Sequence, residues 1–350
     1  MSDSLDSKHL SRREFLKVGM TGAIGAAGAG LVASSIIAPP VATAQDPNSA
    51  PPHESHPDTA TMMAGMEGEV DHHANGFNPS DILTNFDYGK VSTLSNGQTL
   101  REYNIFTAEK TIEVAPGIKY PAWTYNGRIP GPTIRAREGD RIRIYFTNAS
   151  SQPHTIHFHG VHPANMDGVF ESVPIGGKFI YEFDAEPFGV HLYHCHVFPL
   201  AKHIAKGLYG AFIIDPKQGW QKADYEFVMV MNGFDVDFDD KNEIYAVNTI
   251  PFHYDKNPIL VKAGALVRVF LVNLLEFDPI NSFHLHANFF QYYPTGTSLT
   301  PSEYTDMIMQ AQAQRGMLEF RYKHPGKFMF HAHKTEFAEL GWTGNFVVEG

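Results

Sequence analysis

The sequence predicts an all-β protein built from two tandem domains of the β-sandwich or barrel type. From about residue 104 onward, short runs of β-branched and aromatic residues alternate with Gly, Pro and Asn, and no run has the periodicity of a long amphipathic helix. Short strands separated by turn residues in this way are typical of β-sandwiches and barrels. In the first half of the chain we expect strands at residues 110–114, 141–147, 179–183, 190–196 and 208–214.

An internal repeat defines the two domains. Residues 132–148 read PTIRAREGDRIRIYFTN, and an echo about 125 positions later, at 258–273, reads PILVKAGALVRVFLVN. Near the end of each half, GLYGAF at 207–212 is matched by GWTGNF at 341–346. The polar stretch 215–224 separates the copies, so we expect domain one at 95–218 and domain two at 222–350.

The amino-terminal segment, residues 1–45, is interpreted as a twin-arginine signal peptide. SRREFLK at 11–17 precedes a Gly/Ala-rich apolar run at 18–38, and ATA at 42–44 fits a cleavage site. An uncleaved membrane anchor is the alternative, but glycines within the run weaken a spanning helix. The twin-arginine route exports folded proteins, so we expect a periplasmic or extracellular location and no membrane association after cleavage.

The charge of the chain excludes two classes of partner. The formal net charge is -11, with acidic residues spread along the chain, which argues against nucleic acid or an anionic membrane surface as partner.

Residues 46–94 are expected to form a flexible lead-in, because they begin rich in Pro, Ser, Met and His. Its Met and His residues are either simply disordered or a soft-ligand cluster for Cu(I); they are Met62, Met63, Met66, His72 and His73.

Histidines concentrate in four His-X-His pairs, two in each predicted domain. Alternate side chains of a strand point to the same face, so both imidazoles of a pair share a side. Four pairs at matching places in two repeats predict a metal cluster, and imidazoles suit copper above the other divalent metals. The pairs are His157 and His159, His194 and His196, His284 and His286, and His331 and His333.

A second site is predicted around Cys195, the only cysteine in the chain. Cys195 lies between His194 and His196 and therefore points to the opposite face of the strand. With His154 and His203 it supplies one thiolate and two nitrogens, the trigonal set of a blue-copper centre. Leu208 stands where a weak axial methionine could sit, which leaves the metal effectively three-coordinate and should raise its potential.

Domain two has lost every residue of this second set and serves as an internal comparison. Asn281 replaces His154, Ala332 replaces Cys195 and Trp342 replaces Leu208. Either Phe337 or Leu340 falls where His203 would be, because the loop is three residues shorter. The chain should therefore hold one thiolate copper and one shared histidine cluster.

At this level the chain resembles the two-domain multicopper oxidases, laccase-like enzymes of the subclass with blue copper in domain one only. The resemblance covers about residues 95–350. It rests on HTIHFHG, HCHVFPLAKH, HLHANFF, HAHKTEF, PGPTIRAREGD and NMDGV. It implies cupredoxin domains, a type 1 copper, a trinuclear cluster and hence about four coppers per subunit.

Carried over by motif position, the resemblance implies a role for each ligand. His154, Cys195 and His203 would hold type 1 copper, with Leu208 in the axial position. His157 and His284 would hold type 2 copper, and the type 3 pair would be held by His159, His194, His196, His286, His331 and His333. Asp167 in NMDGV matches the family acid that assists proton delivery, although it also suits a turn before Gly168.

The resemblance also implies a reaction and an assembly. A reducing substrate gives electrons near His203, they pass from Cys195 to His194 and His196, and O2 is reduced by four electrons to water. The reductant is a phenol, an aromatic amine or a metal ion. Members of this subclass form homotrimers in which domain one of one subunit faces domain two of the next, closing a ring. A cluster completed within one chain remains the alternative.

Two other functions are open. A copper nitrite reductase also pairs two such domains with blue copper in the first, but it needs only three histidines at its second copper. A non-catalytic copper or electron carrier would leave the histidine pairs unexplained.

Several further residues keep two interpretations. Glu336 and Glu339 either relay protons to the cluster or are solvated carboxylates. His162 and His191 are expected to support ligands or to lie on the surface. Met307, Met309 and Met317 are either core fillers or soft copper ligands.

Overall fold

The computed structural model describes residue 66 and residues 68–350, and over this part the chain is built almost entirely of β-strands. The predicted all-β class is thereby confirmed. The strands of the first half are β1 (Phe86–Asp87), β2 (Lys90–Thr93), β3 (Thr99–Ala115), β4 (Ile118–Tyr125), β5 (Thr133–Arg137), β6 (Arg141–Asn148), β7 (His157–Phe158), β8 (Lys178–Asp184), β9 (Gly189–His194) and β10 (Tyr209–Asp215). Those of the second half are β11 (Tyr225–Phe234), β12 (Ile244–Val247), β13 (Asn257–Lys262), β14 (Val267–Asn273), β15 (Ile280–Leu285), β16 (Phe290–Pro294), β17 (Glu303–Thr305), β18 (Met307–Ala311), β19 (Arg315–Phe320), β20 (Gly326–His331) and β21 (Thr343–Glu349).

Helices in the described part are short. They are α1 (His72–Asn75), α2 (Pro79–Thr84), α3 (Leu200–Ala205), α4 (His253–Lys256) and α5 (Thr335–Glu339), with one 3₁₀ turn at Ala164–Met166. Among the described residues, no helix has both the length and the apolar character that crossing a bilayer requires.

The first half forms two sheets. Their strand orders are β1-β5-β10-β9-β7 and β2-β3-β6-β8, with β4 paired to β3. Strand β6 buries Ile142, Ile144 and Phe146, while the residues between them are partly exposed, as expected for a strand with one face on a core. This core also contains Cys195 and Leu208, so the predicted thiolate site is part of the domain interior.

The second half also forms two sheets. Their strand orders are β12-β11-β14-β19-β16-β17 and β13-β21-β20-β15-β18. Strand β14 is buried along its whole length, because β11 and β19 flank it and β9 of the first half packs against it.

The sequence repeat is a structural repeat as well. Strand β6 lies between a parallel and an antiparallel neighbour, and β14 does the same in the second half. Each ends in a buried asparagine whose side-chain oxygen accepts a backbone N–H two residues on: Ser150 donates to Asn148, and Leu275 donates to Asn273.

A buried ionic network joins the two halves. Arg135 of β5 contacts both Asp215 of β10 and Glu226 of β11. Glu226 in turn pairs with Arg268 of β14 at 2.8 Å, and Arg268 donates to Glu319 of β19. Because each charge has partners within hydrogen-bonding distance, the network can stay ionised despite burial.

The lead-in is not flexible from His72 onward, so the expectation for residues 46–94 is wrong for its last part. Asn75 exchanges two hydrogen bonds with the backbone of Glu113, at 2.9 and 3.0 Å. Tyr254 donates to the carbonyl of Pro79 at 2.8 Å, and the hydroxyl of Ser80 lies 2.8 Å from Nε2 of His253. Residues 1–65 and residue 67, with Met62, Met63 and the proposed signal peptide, lie outside the described residues, whereas Met66 is buried in the core.

Candidate metal centres

Three side chains converge around Cys195 in the first half. Sγ of Cys195 lies 3.2 Å from Nδ1 of His203 and 3.7 Å from Nδ1 of His154, and the two Nδ1 atoms are 3.2 Å apart. All three residues are buried. The structure thus brings the predicted type 1 set together from three separate segments: the loop before β7, the end of β9 and helix α3.

The surroundings of this site fix the ligand orientation. With Nδ1 turned to the thiol, Nε2 of His154 donates to Oγ of Ser150 at 2.7 Å. The indole of Trp123 packs edge-on against both imidazoles, with centroids 5.3 Å from His154 and 4.8 Å from His203. Leu208 is fully buried, and its carbonyl accepts from the N–H of Cys195 at 3.0 Å.

The protonation states of the set suit a soft-to-borderline cation. Burial lowers the pKa of both His154 and His203 to about 4, so each imidazole is neutral at pH 7 and keeps a lone pair for a metal. Burial raises the pKa of the Cys195 thiol, so a bound cation is needed to hold the thiolate in this dry core. The donor set of one sulfur and two nitrogens fits copper.

A histidine cluster lies on the other side of the same strand end. Nε2 of His159 is 3.2 Å from Nε2 of His194, and the ring of His157 lies 5.2 Å from that of His194. Nδ1 of His194 donates to the carbonyl of Cys195 at 2.9 Å, which leaves Nε2 for a metal. Burial lowers the pKa of His159 to about 3 and of His194 to about 4.

His196 completes this group. Its ring centroid is 5.2 Å from that of His157, and its backbone N–H donates to Oγ1 of Thr155 at 3.1 Å. Its Nδ1 is buried without a hydrogen-bond partner. An orphaned buried nitrogen is costly unless something binds it, so it fits a site built for metal.

Asp167 lies behind His157. The imidazole donates from Nδ1 to the carbonyl of Asp167 at 2.8 Å, and Oδ1 of the same residue is 3.1 Å away. Nε2 of His162 is 3.6 Å from that carboxylate. Asp167 and His162 therefore form a support that orients His157, the arrangement expected of residues behind metal ligands.

Domain two carries a matching histidine group. Nε2 of His286 is 2.9 Å from Nε2 of His331, and the ring of His284 lies 5.4 Å from that of His331 and 5.3 Å from that of His333. Nδ1 of His331 donates to the carbonyl of Ala332 at 2.6 Å. Among the described residues three histidines of each group lie close enough together to share one ion, His157, His159 and His194 in the first half and His284, His286 and His331 in the second.

Sequence reasoning missed Asp306. Nδ1 of His284 donates to its carbonyl at 2.9 Å, and Oδ2 is 3.8 Å away, so Asp306 stands behind His284 as Asp167 stands behind His157. The signal available in the sequence was an aspartate downstream of each first pair, in NMDGV after His157 and in TDMIM after His284.

The position of His203 is taken by a phenylalanine in domain two. Leu208 donates its N–H to the carbonyl of His203, and Trp342 donates its N–H to the carbonyl of Phe337. Phe337, rather than Leu340, therefore occupies the position of His203. Asn281, Ala332, Phe337 and Trp342 are all buried, so a packed group of side chains without thiol or imidazole replaces the thiolate site.

Other expected residues are placed differently. Glu336 and Glu339 lie exposed on α5, and Glu336 pairs with Lys334 at 3.3 Å. Their proton-relay role stays a prediction. His191 is buried and its Nε2 lies 2.8 Å from the carbonyl of Pro187. Met317 is buried, whereas Met307 and Met309 are exposed and do not fill the core.

Comparison with known proteins identifies the family. Two family models described as multicopper oxidase match residues 107–219 and 228–350. The chain belongs to the multicopper oxidase family. A crystal structure of a multicopper oxidase has 61% sequence identity and a TM-score of 0.79, covering 80% of this chain and 100% of the other. This supports the cupredoxin fold and the two-domain arrangement, and the family implies copper as cofactor.

Copper nitrite reductases are also similar to this multicopper oxidase. The enzyme of Neisseria meningitidis serogroup A is 30% identical over 269 residues, which is 70% of this chain and 68% of the relative. The structure of the enzyme from Nitrosomonas europaea has 26% identity and a TM-score of 0.66, covering 72% of this chain and 94% of the other.

Proposed function

We propose that this multicopper oxidase is a laccase-like enzyme that oxidises a small reductant one electron at a time and reduces O2 to water. The observation that supports it best is the doubled histidine group: both halves of the chain keep His-X-His pairs with the same hydrogen bonds. Bound copper, about four ions per subunit, would supply one-electron redox steps and hold the four electrons that O2 needs. The ligands would be those assigned above: His154, Cys195 and His203 on one side, the eight paired histidines on the other.

The residues around these sites have distinct tasks in this proposal. Cys195 and His194 are adjacent in the chain and are joined again by the 2.9 Å hydrogen bond from Nδ1 to the carbonyl. This gives a short, rigid connection between the two sites. Asp167 and Asp306 would keep His157 and His284 in one tautomer, and their carboxylates, 3.1 and 3.8 Å from those imidazoles, would relay protons to the cluster.

A cavity beside His203 suits an organic reductant. Helix α3, which carries His203, contributes Lys202 and Ala205 to the wall of a cavity of about 230 Å³. The remaining lining is aromatic, from Tyr120, Phe238 and Phe277, and charged, from Lys206, Asp235 and Asp240. The three rings can stack on a phenol or an aromatic amine, and the charged groups among them can bond its polar end, so an organic reductant of this kind fits the pocket. Phe238→Ala should raise KM for a phenol while leaving KM for Fe(II) unchanged; equal effects on both would contradict this choice of substrate.

Assembly into a homotrimer would complete the cluster. In support, the two histidine groups are separate within the chain, and His286 is exposed. A head-to-tail contact between domain one and domain two of neighbouring copies can close into a ring. Dissociated monomer should lose activity and cluster copper; monomer that keeps both would favour a cluster within one chain.

A nitrite reductase is the second candidate, favoured by the 30% identity to the Neisseria enzyme. Copper content separates the two, because the oxidase needs about four ions per subunit and the reductase about two. Oxygen uptake and nitrite consumption, measured with the same reductant, provide the second test. A copper content of two ions per subunit together with nitrite turnover would overturn the oxidase proposal.

Export by the twin-arginine route is a separate proposal. It can be tested by replacing the two arginines of the leader, Arg12→Lys and Arg13→Lys.

A further inference from the structure

The outer face of one domain-two sheet carries thioethers beside the imidazoles. His284 of β15 is directly opposite Met307 of β18 on one side and His331 of β20 on the other. His286, just beyond β15, donates its N–H to the carbonyl of Met329. Residues directly opposite each other share a face of the sheet, so Met307 and Met329 flank the three histidines.

Both methionines are accessible. Met307 and Met329 are each 41% exposed, although methionine usually lies in protein interiors. Neither is needed to fill the core, which the intervening Ile308 and Phe330 occupy. Two thioethers therefore stand at the surface on either side of a group of metal-ligating nitrogens.

Domain one does not repeat this feature. Gly168 follows Asp167 as Met307 follows Asp306, and Leu192 receives the N–H of His159 as Met329 receives that of His286. Gly168 has no side chain, and Leu192 is fully buried. The histidine geometry is thus built without thioethers in domain one, and the methionines of domain two require another explanation.

We propose that Met307 and Met329 form a capture site that takes up Cu(I) and passes it to His284, His286 and His331. Thioethers select Cu(I) over harder cations, whereas imidazoles bind copper in both oxidation states. The transfer is a ligand exchange in which Cu–S bonds break as Cu–N bonds form, so no electron moves. This inference rests on the proposed copper site of domain two, and in a ring it would act before the neighbouring subunit covers this face.

The test follows copper uptake by the full mature chain, prepared without metal and kept anaerobic. The probe is Cu(I) held by a chelator, and the ε-methyl NMR signals of ¹³C-labelled methionine report which sulfurs bind. Signals of Met307 and Met329 should shift with the first additions of Cu(I). The Met307→Leu and Met329→Leu double variant should take up copper about tenfold more slowly.

Met309→Leu is the matched control, because Met309 is exposed on the same strand but lies opposite Ser282, one row from the histidines. It should load at the wild-type rate. After prolonged loading, the double variant should reach wild-type copper content and kcat, since neither methionine is a permanent ligand. If the methyl signals do not move, or if the double variant takes up copper at the wild-type rate, the capture site is overturned and the oxidase proposal stands. If the wild-type chain never binds cluster copper, the oxidase proposal itself is overturned.

Discussion

Nδ1 of His194 donates a hydrogen bond of 2.9 Å to the carbonyl oxygen of Cys195, the residue that follows it. His331 makes the same bond to Ala332 in domain two, where no thiol is present. The bond therefore belongs to the histidine group and does not depend on the thiolate site. In domain one the same hydrogen bond also connects the histidine group to Cys195, whose sulfur faces His154 and His203.

Replacing the thiol should remove one site and spare the other. Cys195→Ser should abolish the intense visible thiolate-to-copper charge-transfer band and lower the copper content by about one ion per subunit. The cluster should survive, because Ala332 supports the equivalent geometry without sulfur. Absorption and copper analysis check this result, with loss of oxidase activity expected. Persistence of the band would contradict the type 1 assignment.

The two aspartates behind the histidines should differ in importance. Asp167→Asn and Asp306→Asn both keep the backbone carbonyl that His157 and His284 use, so each variant reports on the carboxylate alone. Loss of such support typically costs about 10–100-fold in metal affinity or activity. The larger effect should come from Asp167, whose carboxylate is 3.1 Å from the imidazole against 3.8 Å for Asp306.

Copper retention against a chelator and the pH profile of kcat measure this difference. Asp184→Asn is the control, because Asp184 pairs with Arg141 at 3.0 Å and belongs to none of the candidate metal-binding groups of the described residues. An unchanged pH profile in both variants, with wild-type copper retention, would show that the carboxylates are merely turn residues.

The sequence predicted the site better than its supports. Alternation along one strand was enough to separate Cys195 from His194 and His196, because the two-residue period is a fixed property of strands. Asp306 was not predicted, because its partner His284 lies 22 residues away in the chain and only the pairing of the strands brings the two together. The lead-in escaped for a similar reason, since Asn75 is ordered by Glu113, a tertiary contact that local composition does not contain.

An axial ligand should lower the potential of the type 1 site. Leu208→Met offers a thioether of similar volume in a fully buried position, so packing should change little. A weak axial sulfur stabilises Cu(II), and the midpoint potential should fall. Redox titration of the visible band measures it, with Leu208→Ile as the packing control. An equal shift in both variants would indicate a packing effect and no axial bond.

The buried ionic network should be costly to break. Arg268 is 1% exposed and donates to Glu226, Glu319 and the carbonyl of Gln221. Arg268→Leu leaves the buried Glu319 without its arginine and Glu226 with Arg135 alone, and it should lower the free energy of unfolding by about 3–5 kcal/mol. Arg143→Leu breaks a partly exposed pair with Glu182 and should cost at most about 1 kcal/mol. Urea unfolding of the copper-loaded proteins compares them, and equal losses would contradict this ranking.

The lead-in should detach from domain two in acid. His253 is buried between Ser80 and His72, with Lys256 nearby, and burial lowers its pKa from 6.5 to about 4. The unfolded or detached state therefore binds a proton more readily than the docked state. Docking is fully stabilised above about pH 6.5 and weakens by up to about 1.4 kcal/mol per pH unit as pH falls toward 4.

Hydrogen-exchange protection factors of residues 72–84 in the copper-loaded enzyme measure this docking. They should fall between pH 7 and pH 5 in the wild type but stay level in His253→Gln, whose amide can still bond Ser80 and does not titrate. His324→Gln removes an exposed histidine of the same domain and should behave as wild type. A decline of the same size in His253→Gln would assign the pH response to other groups.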